Sequence, residues 1–414
     1  MNSRASTFRR RGSVYVMVLG ISLLVSVIGI AALTAVRVQL RTSSNANDSE
    51  DARLFAQSGV EVARNWINSD PAWRTSRASG ATATLTLGKG SVSISMIDPG
   101  DGDFTDSPFD SLKLTATGYK GLARQKIQVT LTPVPFAYSC LTAGIVSGGN
   151  LTLGGGADFV ANGTVASNAG ITIASGCTMD ANAEAVGTCS GLQYLGSKIN
   201  GAAPREMPDA TVFDYYIANG TAISYAATGG SIDKVLLSPG NNPYGPTNSN
   251  GIYVINCAGQ NITIKMSRIV GTLVILNCGS GSKTDNNISL EPFLVNHPVL
   301  MVKGSMTFEH DAGVLTDSSN RNFNPPGSPY NGVTNATSSD TYPSTIKGLT
   351  YISGNVTFKK DGTASGPLVV GGTIASDHDL NLTSSNVYQT NPPPGFFDPP
   401  PMKVSTQSWA QAVD

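Results

Sequence analysis

The chain begins with a short basic segment that is followed by a long apolar one. No residue between Arg11 and Arg37 carries a charge, and residues 12–36 are mostly Val, Ile, Leu, Ala and Gly. At about 1.5 Å per residue this segment predicts a helix of roughly 37 Å, longer than the ~30 Å hydrocarbon core of a bilayer. Because lipid offers the backbone no hydrogen-bond partners, we expect a single membrane-spanning helix that contacts membrane lipid.

The orientation of this helix follows from the charges before it. Arg4, Arg9, Arg10 and Arg11 lie upstream, so the positive-inside rule predicts a cytoplasmic tail over residues 1–11. The rest of the chain is then periplasmic or extracellular, and the helix lies in the cell inner membrane. Two alternatives stay open. A cleaved secretory signal normally has an apolar core of only ~7–15 residues. A buried helix of a soluble protein rarely needs so long an uncharged run.

Helical periodicity resumes after a polar segment at residues 37–50. The pattern predicts an anchor and amphipathic helix over 12–70, interrupted near 42–49 and ended by Asp70-Pro71. The positions of the amphipathic face recur every four residues: Leu54, Ser58, Val62 and Trp66, with Phe55, Gly59 and Ala63 beside them.

The order of these segments resembles the N-terminus of pilin-like proteins. The sequence Arg-Arg-Arg-Gly-Ser, the apolar segment and the small-residue helix LFAQSGVEVARNWI (54–67) are most similar to X-type minor pilins of type IV pilus assembly and K-type minor pseudopilins of type II secretion. The resemblance implies that a prepilin peptidase cuts between Gly12 and Ser13, and that other pilin-like subunits are partners. Met17 stands at the fifth mature position, where major pilins carry Glu. K-type pseudopilins lack this Glu too, so a tip role and an anchored protein that never polymerises both stay open.

Residues 71–136 have the pattern of a small antiparallel sheet. Apolar and polar residues alternate over 82–98 with a turn at Gly88-Lys89-Gly90, and a second hairpin follows at 112–131. The loop between the hairpins carries four acidic residues whose spacing suggests calcium: Asp98, Asp101, Asp103 and Asp106. It lacks the glycine and the closing Glu of an EF-hand, so we expect a solvated turn.

A repeat begins after residue 137. The tetrad small/Asn–aliphatic–Thr/Ser/Asn–aliphatic recurs with starts at Asn150, Gly170, Asn261, Asn287, Ser305, Asn355 and Asp379. One such strand cannot bury its apolar face alone, whereas stacked copies form a continuous core. This predicts a parallel β-helix over 137–390, with insertions at 194–250 and 311–345 and a Pro-rich tail at 391–414. An antiparallel sandwich is the alternative, but two-residue hairpin signals are few.

The predicted fold class is therefore mainly β, with a long N-terminal transmembrane α-helix, a small pilin-like antiparallel sheet and a parallel β-helix. Charged residues make up only 13% of the chain and the net charge is −1, so nucleic-acid binding has no electrostatic support outside the basic tail. Within the β-helix, residues 208–220 predict a short helix and Trp409 is a candidate anchor for the tail.

The five cysteines do not form a zinc-binding pattern, so we expect no metal and no cofactor. The best disulfide candidate is Cys257 with Cys278, since both follow Asn and 21 residues would place them on adjacent coils. Cys177 with Cys189 is the second candidate. Buried free thiols are the alternative for both pairs.

The β-helix could act in glycan chemistry or could be purely structural. Polysaccharide lyases and hydrolases often use β-helices with carboxylates along one face, and hydrolysis needs two carboxyl groups ~5–9 Å apart. The carboxylate candidates are Asp311, Asp377 and Asp379, near the histidines His310 and His378; His297 is the third histidine of the chain. No Arg or Lys cluster lies beside them, so we expect surface turns and no catalysis. The predicted role is structural, and a membrane-tethered protein that binds or cleaves a glycan ligand is the alternative. A cytoplasmic β-helical polymer of the bactofilin kind is disfavoured by the apolar helix.

Overall fold

The computed structural model describes residues 11–107, 109–134, 136–191, 193–317, 321–398 and 400–412. The chain divides into two compact units. Unit 1 comprises Met1–Val134 and Pro399–Asp414, and unit 2 comprises Pro135–Asp398. In sequence, unit 2 is therefore an insertion into unit 1.

Unit 1 begins with one long helix. The elements of its N-terminal part are α1 Arg11–Ser69, α2 Trp73–Ser76, β1 Thr82–Leu87, β2 Gly90–Ile97, β3 Leu112–Lys120 and β4 Ala123–Pro133. The predicted interruption near 42–49 is wrong, because α1 continues through it. Thr42 Oγ1 donates to the carbonyl of Val38, and Gln125 Nε2 of β4 donates to Ser49 Oγ at 2.8 Å. Contact with the sheet thus outweighs the poor helix propensity of this polar stretch.

The C-terminal half of α1 packs on the antiparallel sheet β1-β2-β3-β4 through small residues. The buried stripe is Ala52, Ala56, Val60, Ala63 and Ile67. The predicted face is confirmed in part, since Gly59 and Ala63 are buried and Val62 and Trp66 pack partly buried against the core, whereas Leu54 and Ser58 are exposed. The reason is close approach. A Cβ on Gly118 of β3 would lie 2.0 Å from the carbonyl oxygen of Ala52, so only glycine admits the helix backbone there.

Unit 2 is built almost entirely of short strands. They are β5 Ile145–Ser147, β6 Leu151–Leu153, β7 Asp158–Ser167, β8 Ile171–Ile173, β9 Thr178–Ala185, β10 Cys189–Ser190, β11 Lys198–Asn200, β12 Thr221–Ile223, β13 Ser231–Asp233, β14 Leu236–Leu237, β15 Ile252–Asn256, β16 Thr263–Val270, β17 Thr272–Leu276, β18 Lys283–Glu291, β19 Leu300–Lys303, β20 Met306–His310, β21 Val314–Thr316, β22 Thr341–Pro343, β23 Thr345–Lys347, β24 Thr350–Ile352, β25 Val356–Phe358, β26 Gly362–Ser365, β27 Leu368–Val370, β28 Ile374–Ser376 and β29 Leu380–Thr383. Its α-helices are α3 Asp214–Asn219, α4 Tyr225–Thr228 and α5 Val387–Thr390.

These strands form a parallel β-helix with three faces, which confirms the predicted fold class. Face A contains, in spatial order, β12, β15, β17, β19, β24, β27, β5, the second half of β7, the second half of β9, and β11. Face B contains β13, the first halves of β16 and β18, then β20, β25, β28, β6, β8 and β10. Face C contains β14, the second halves of β16 and β18, then β23, β26, β29 and the first halves of β7 and β9.

The coils do not stack in the order of the sequence. The chain enters at β5, winds toward one end of the β-helix at β11, and then passes through residues 201–220 to β12 at the opposite end. From β12 it winds back until β27, β28 and β29 pair with β5, β6 and β7. The first and last coils are therefore neighbours. Part of the predicted insertion 194–250 is wrong, because residues 221–237 form the terminal coil.

The repeated tetrads explain how neighbouring coils are joined. In three of the four tetrads that begin with Asn, the side-chain oxygen accepts a hydrogen bond from the backbone N–H of the next coil; the fourth, Asn287, donates to the Asp311 carbonyl instead. Asn150 accepts from Gly170 at 3.0 Å, Asn261 from Gly281 at 2.9 Å, and Asn355 accepts from the Thr373 N–H at 2.9 Å. The aliphatic positions of the tetrads lie in the core, where coils bury them on both sides.

Face A is apolar on its outer side as well, and a second layer covers it. Val146, Val254, Val274 and Met301 belong to a second buried cluster rather than to the β-helix interior. The covering residues come from segments 137–143, 207–219 and 387–397 and include Leu141, Phe213, Tyr216, Tyr388 and Phe396. The short helix predicted at 208–220 lies in this layer as a 3-10 turn, Ala210–Phe213, followed by α3. Asp209 caps it by accepting from the Thr211 N–H.

A long excursion leaves the β-helix between β20 and β23. Its two arms, β21 and β22, pair antiparallel, and its inner residues pack around Arg268 of β16. Arg268 is fully buried. It forms hydrogen bonds to Glu291 and donates to the carbonyls of Phe323 (2.6 Å), Ser328 (3.0 Å) and Pro329 (2.7 Å). One arginine thus holds the excursion against face C.

The C-terminal tail returns to unit 1. Its strands β30 Met402–Val404 and β31 Ala410–Ala412 both pair antiparallel with β4. Asn68 at the end of α1 donates to the Met402 carbonyl and accepts from its N–H at 2.8 Å. The expected anchor, Trp409, is 46% exposed. Strand pairing, not the tryptophan, therefore attaches the tail.

Candidate functional surface

The first half of α1 is the largest exposed apolar surface in the described part of the chain. Every large apolar side chain from Val14 to Leu40 is more than half exposed, including Met17 at 67%. By length and composition the helix can cross a membrane, and within the described residues it is the single helix that meets this test. Apolar surface of this extent is unfavourable in water, which supports membrane anchoring.

Three hydroxyl side chains of this half form hydrogen bonds within the helix itself. Ser22 Oγ donates to the Leu19 carbonyl at 3.0 Å, Ser26 Oγ to the Ser22 carbonyl at 2.8 Å, and the Thr34 hydroxyl to the Ile30 carbonyl at 2.8 Å. No hydroxyl among these three is left to face lipid without a partner. These three positions are therefore compatible with a hydrocarbon environment.

The predicted processing site lies at the start of this helix. Gly12 and Ser13 follow Arg11, the first residue of α1. The remainder of the predicted basic tail, residues 1–10, lies outside the described residues. Cleavage between Gly12 and Ser13 stays a prediction.

The carboxylates considered for glycan chemistry each hold a contact within the β-helix. Asp311 forms an ion pair with Lys360 at 2.6 Å. Asp379 accepts from the Asp158 N–H at 2.8 Å, and its own N–H donates to Asp361 at 3.2 Å. These last three residues form a ladder that joins three successive coils. Asp377 lies against Gly154 of the neighbouring coil.

The three histidines lie in different surroundings. His310 is buried, its Nδ1 is 3.1 Å from Thr284 Oγ1, and burial lowers its pKa to about 4. His297 is buried against the rings of Tyr215 and Tyr216, and burial lowers its pKa to about 4 as well. His378 is exposed at the surface, with Nδ1 3.5 Å from Asp361. The structure therefore does not bring His310 and His378 into one site with the aspartates.

Both predicted disulfides are wrong in this structure, because all five cysteines are free thiols. Asn256 pairs with Leu276, so the coil repeat here is 20 residues and Cys257 falls opposite Asn277, not Cys278. Cys257 points into the core, whereas the half-buried Cys278 donates to the Ser305 carbonyl at 3.6 Å.

The second predicted pair is separated by the geometry of the coil. Cys177 precedes the part of β9 that lies on face C, where Thr178 pairs with Asp158. Cys189 lies on face B, where it pairs with Ile171. The two sulfurs therefore belong to different faces, and both side chains are buried separately in the core.

Sequence reasoning missed two polar features. The first is Arg268. The sequence feature that could have revealed it is a single arginine next to the apolar residues of β16. The second is Asp98, which was expected in a solvated turn but is only 4% exposed. The sequence feature that could have revealed its burial is its position directly after Ile97, the last residue of β2, because the end of a strand holds the next residue close to the sheet.

Comparisons with known proteins give a likeness among solved structures. No protein-family model matches the chain, and no curated protein matches it. Among solved structures, the competence-associated pilin ComZ from Thermus thermophilus is similar at 10% sequence identity and a TM-score of 0.35, covering 89% of this chain and 98% of the ComZ chain.

Proposed function

We propose that this chain is a membrane-anchored, pilin-like structural subunit of the minor pilin or pseudopilin class, and that it acts without catalysis. The observation that carries the proposal is the division of α1 into two halves. One half packs on an antiparallel sheet through Ala52, Ala56 and Val60, and the other exposes an uncharged apolar surface from Val14 onward. This division suits a subunit that is held in lipid and then packs against sister helices.

The proposed topology has the N-terminus in the cytoplasm, the first half of α1 in the inner membrane, and both the sheet of unit 1 and unit 2 on the far side of that membrane. The four arginines of the tail support this orientation. The proposed partners are membrane lipid, other pilin-like subunits and a prepilin peptidase. Met17 in place of the Glu of major pilins supports an initiating or tip position over a repeated position within a filament.

Mass spectrometry of the mature N-terminus tests this proposal. The full chain would be produced in bacteria with and without a prepilin peptidase. A peptidase-dependent start at Ser13 is expected. Gly12→Val should abolish the cut, whereas Gly20→Val, a matched change within the same helix, should leave it intact. An unprocessed chain would indicate a permanent anchor, and a start near Ala32 would indicate simple secretion; either result contradicts the proposal.

Glycan depolymerisation assays test the absence of catalysis. The contacts of Asp311 and Asp379 support a structural use of these carboxylates. We expect no turnover by the full chain on a panel of acidic and neutral polysaccharides. Turnover that is lost in Asp379→Ala but kept in Asp361→Ala would establish a carbohydrate-active β-helix instead.

A further inference from the structure

The loop between β2 and β3 gathers three carboxylates at one end of the sheet of unit 1. Asp98 follows Ile97, the last residue of β2, and Asp110 lies two residues before Leu112, the first residue of β3. Because these strands pair antiparallel, with Ile97 opposite Lys113, the two acids are brought together. Asp106 reaches the same place from the loop, and one carboxylate oxygen from each lies within 4.8 Å of the others.

The Asp98 side chain is the unusual member of this group. It is only 4% exposed, and its Oδ1 accepts from the Gly100 N–H at 2.7 Å. Its Oδ2 is buried and lacks a hydrogen-bond partner among the described residues. A buried carboxylate oxygen without a hydrogen-bond partner is costly, because it loses its hydration and no donor replaces the lost water. A cation bound at Oδ2 would supply the partner that this oxygen lacks.

Arg74 of α2 is a cationic group that interacts electrostatically with all three carboxylates, and its guanidinium also binds the backbone of the loop. It donates to the carbonyls of Phe104 at 3.3 Å and Asp110 at 2.9 Å. These bonds hold the loop in place. Three carboxylates face this one guanidinium, so negative charge remains in excess.

We propose that Asp98, Asp106 and Asp110 form a Ca²⁺ site that fastens the β2–β3 loop to the sheet. Calcium binds carboxylate oxygens at 2.3–2.6 Å, so two oxygens on one ion lie up to about 5 Å apart, which fits this cluster. Its tolerance of irregular geometry suits ligands from a strand end and a loop, whereas Mg²⁺ demands a near-ideal octahedron. The site is independent of the role proposed above for α1.

Calorimetric titration of the full chain in detergent micelles, after removal of metals by chelation, tests the site. Wild-type protein should bind one Ca²⁺ with a Kd on the order of 10⁻⁴–10⁻³ M, the range of extracellular modules. Asp106→Asn should weaken binding at least tenfold. The matched control is Asp103→Asn in the same loop, because Asp103 already accepts from Thr105 N and Oγ1. This control should keep the Kd within about twofold.

Thermal unfolding gives a second readout that is independent of binding heat. In chelator, Asp98→Asn should raise the Tm, because an amide removes the charge from the unpartnered oxygen. In about 10 mM CaCl₂ the order should reverse, since only the wild type gains from the ion. No calcium heat and no Tm shift in the wild type would overturn the site. Equal Tm shifts with MgCl₂, or equal loss of binding in Asp103→Asn, would show non-specific screening and overturn it as well.

Discussion

Leu368 in the last coil of the β-helix pairs with Ile145 in the first, 223 positions earlier in the chain. The first coil is therefore an internal coil, covered on one side by residues near the C-terminal end of unit 2. The ends of unit 2 meet as a consequence, and the Tyr138 N–H donates to the Phe396 carbonyl at 2.9 Å. This closeness explains how a whole β-helix can be inserted between β4 and β30 while the sheet of unit 1 remains continuous.

Loss of packing in the last coil of the β-helix, which pairs with the first coil, should destabilise all of unit 2. Ile374 is fully buried and lies between Val356 of the preceding coil and Leu151 of the first coil. Ile374→Ala should lower the free energy of unfolding by about 2–5 kcal/mol, measured by denaturant titration. Asn381→Ala, at an exposed position in the same coil, should change it by less than about 0.5 kcal/mol. Equal effects of the two substitutions would contradict the observed closure.

The sequence predicts the strands of the β-helix but not the order of its coils. The tetrads at Asn150 and Asn355 carry both the apolar core positions and the side chain that bonds to the next coil, so each strand is encoded locally. Coil order is not, because every coil presents a similar apolar edge to any other. The same limit applies to the cysteines. A spacing of 21 residues suggests alignment, but the 20-residue repeat places Cys257 opposite Asn277.

The C-terminal half of α1 illustrates a different limit of prediction from sequence. Periodicity identifies the helix, but it assigns large apolar residues such as Leu54 to the buried face. The face that packs is defined by the absence of side-chain volume, at Gly59 and Gly118. Such a contact can be inferred only when the partner surface is known.

Substitution of Gly118 should separate α1 from its sheet. An added Cβ would lie 2.0 Å from the Ala52 carbonyl oxygen and 2.7 Å from the Ala56 nitrogen, which are backbone atoms that cannot rotate away. Gly118→Ala should cost roughly 1–3 kcal/mol or more, as overpacked sites do, and lower the Tm of the full chain in detergent. Gly29→Ala is the control, since a Cβ there meets nothing within 4 Å. A Gly118→Ala protein with wild-type Tm would refute this helix–sheet contact.

Removal of Arg268 should release the excursion that joins β20 to β23. Arg268→Met keeps the apolar stem but leaves the Glu291 carboxylate and three carbonyls without their donor, at a cost of roughly 3–5 kcal/mol. Limited proteolysis should then cut within 321–341 at least tenfold faster than in the wild type. Lys360→Met, which breaks the exposed ion pair with Asp311, should cost at most about 1 kcal/mol and leave proteolysis of 321–341 unchanged.

The buried histidines should make unit 2 sensitive to acid. Burial lowers the pKa of His297 and His310 from 6.5 to about 4. Between these pH values the unfolded chain binds more protons than the folded one. The free energy of unfolding is therefore highest above pH 6.5 and decreases as the pH falls toward 4. The loss should be on the order of 3 kcal/mol for each histidine. Denaturant titrations at pH 7 and pH 4.5 should show it.

Substitutions identify which histidine contributes. His310→Gln and His297→Gln should each reduce the difference in unfolding free energy between pH 7 and pH 4.5, because glutamine does not titrate. His378→Gln is the matched control, since that imidazole is exposed. A pH dependence that is unchanged in both buried variants, or reduced only in the control, would contradict this account.

Thiol alkylation of the native chain should distinguish Cys278 from the other cysteines. Burial raises the pKa of Cys257 to about 11 and that of Cys140 to about 12, and both side chains are inaccessible in the fold. The reactive species is the thiolate, so these two thiols should stay unmodified at pH 8. Cys278 is half-buried and should react first. Mass spectrometry of the natively treated chain should show a single early adduct at Cys278, and denaturation should expose five reactive thiols. Modification of three or fewer thiols after denaturation without reductant would reveal a disulfide and contradict the free-thiol arrangement.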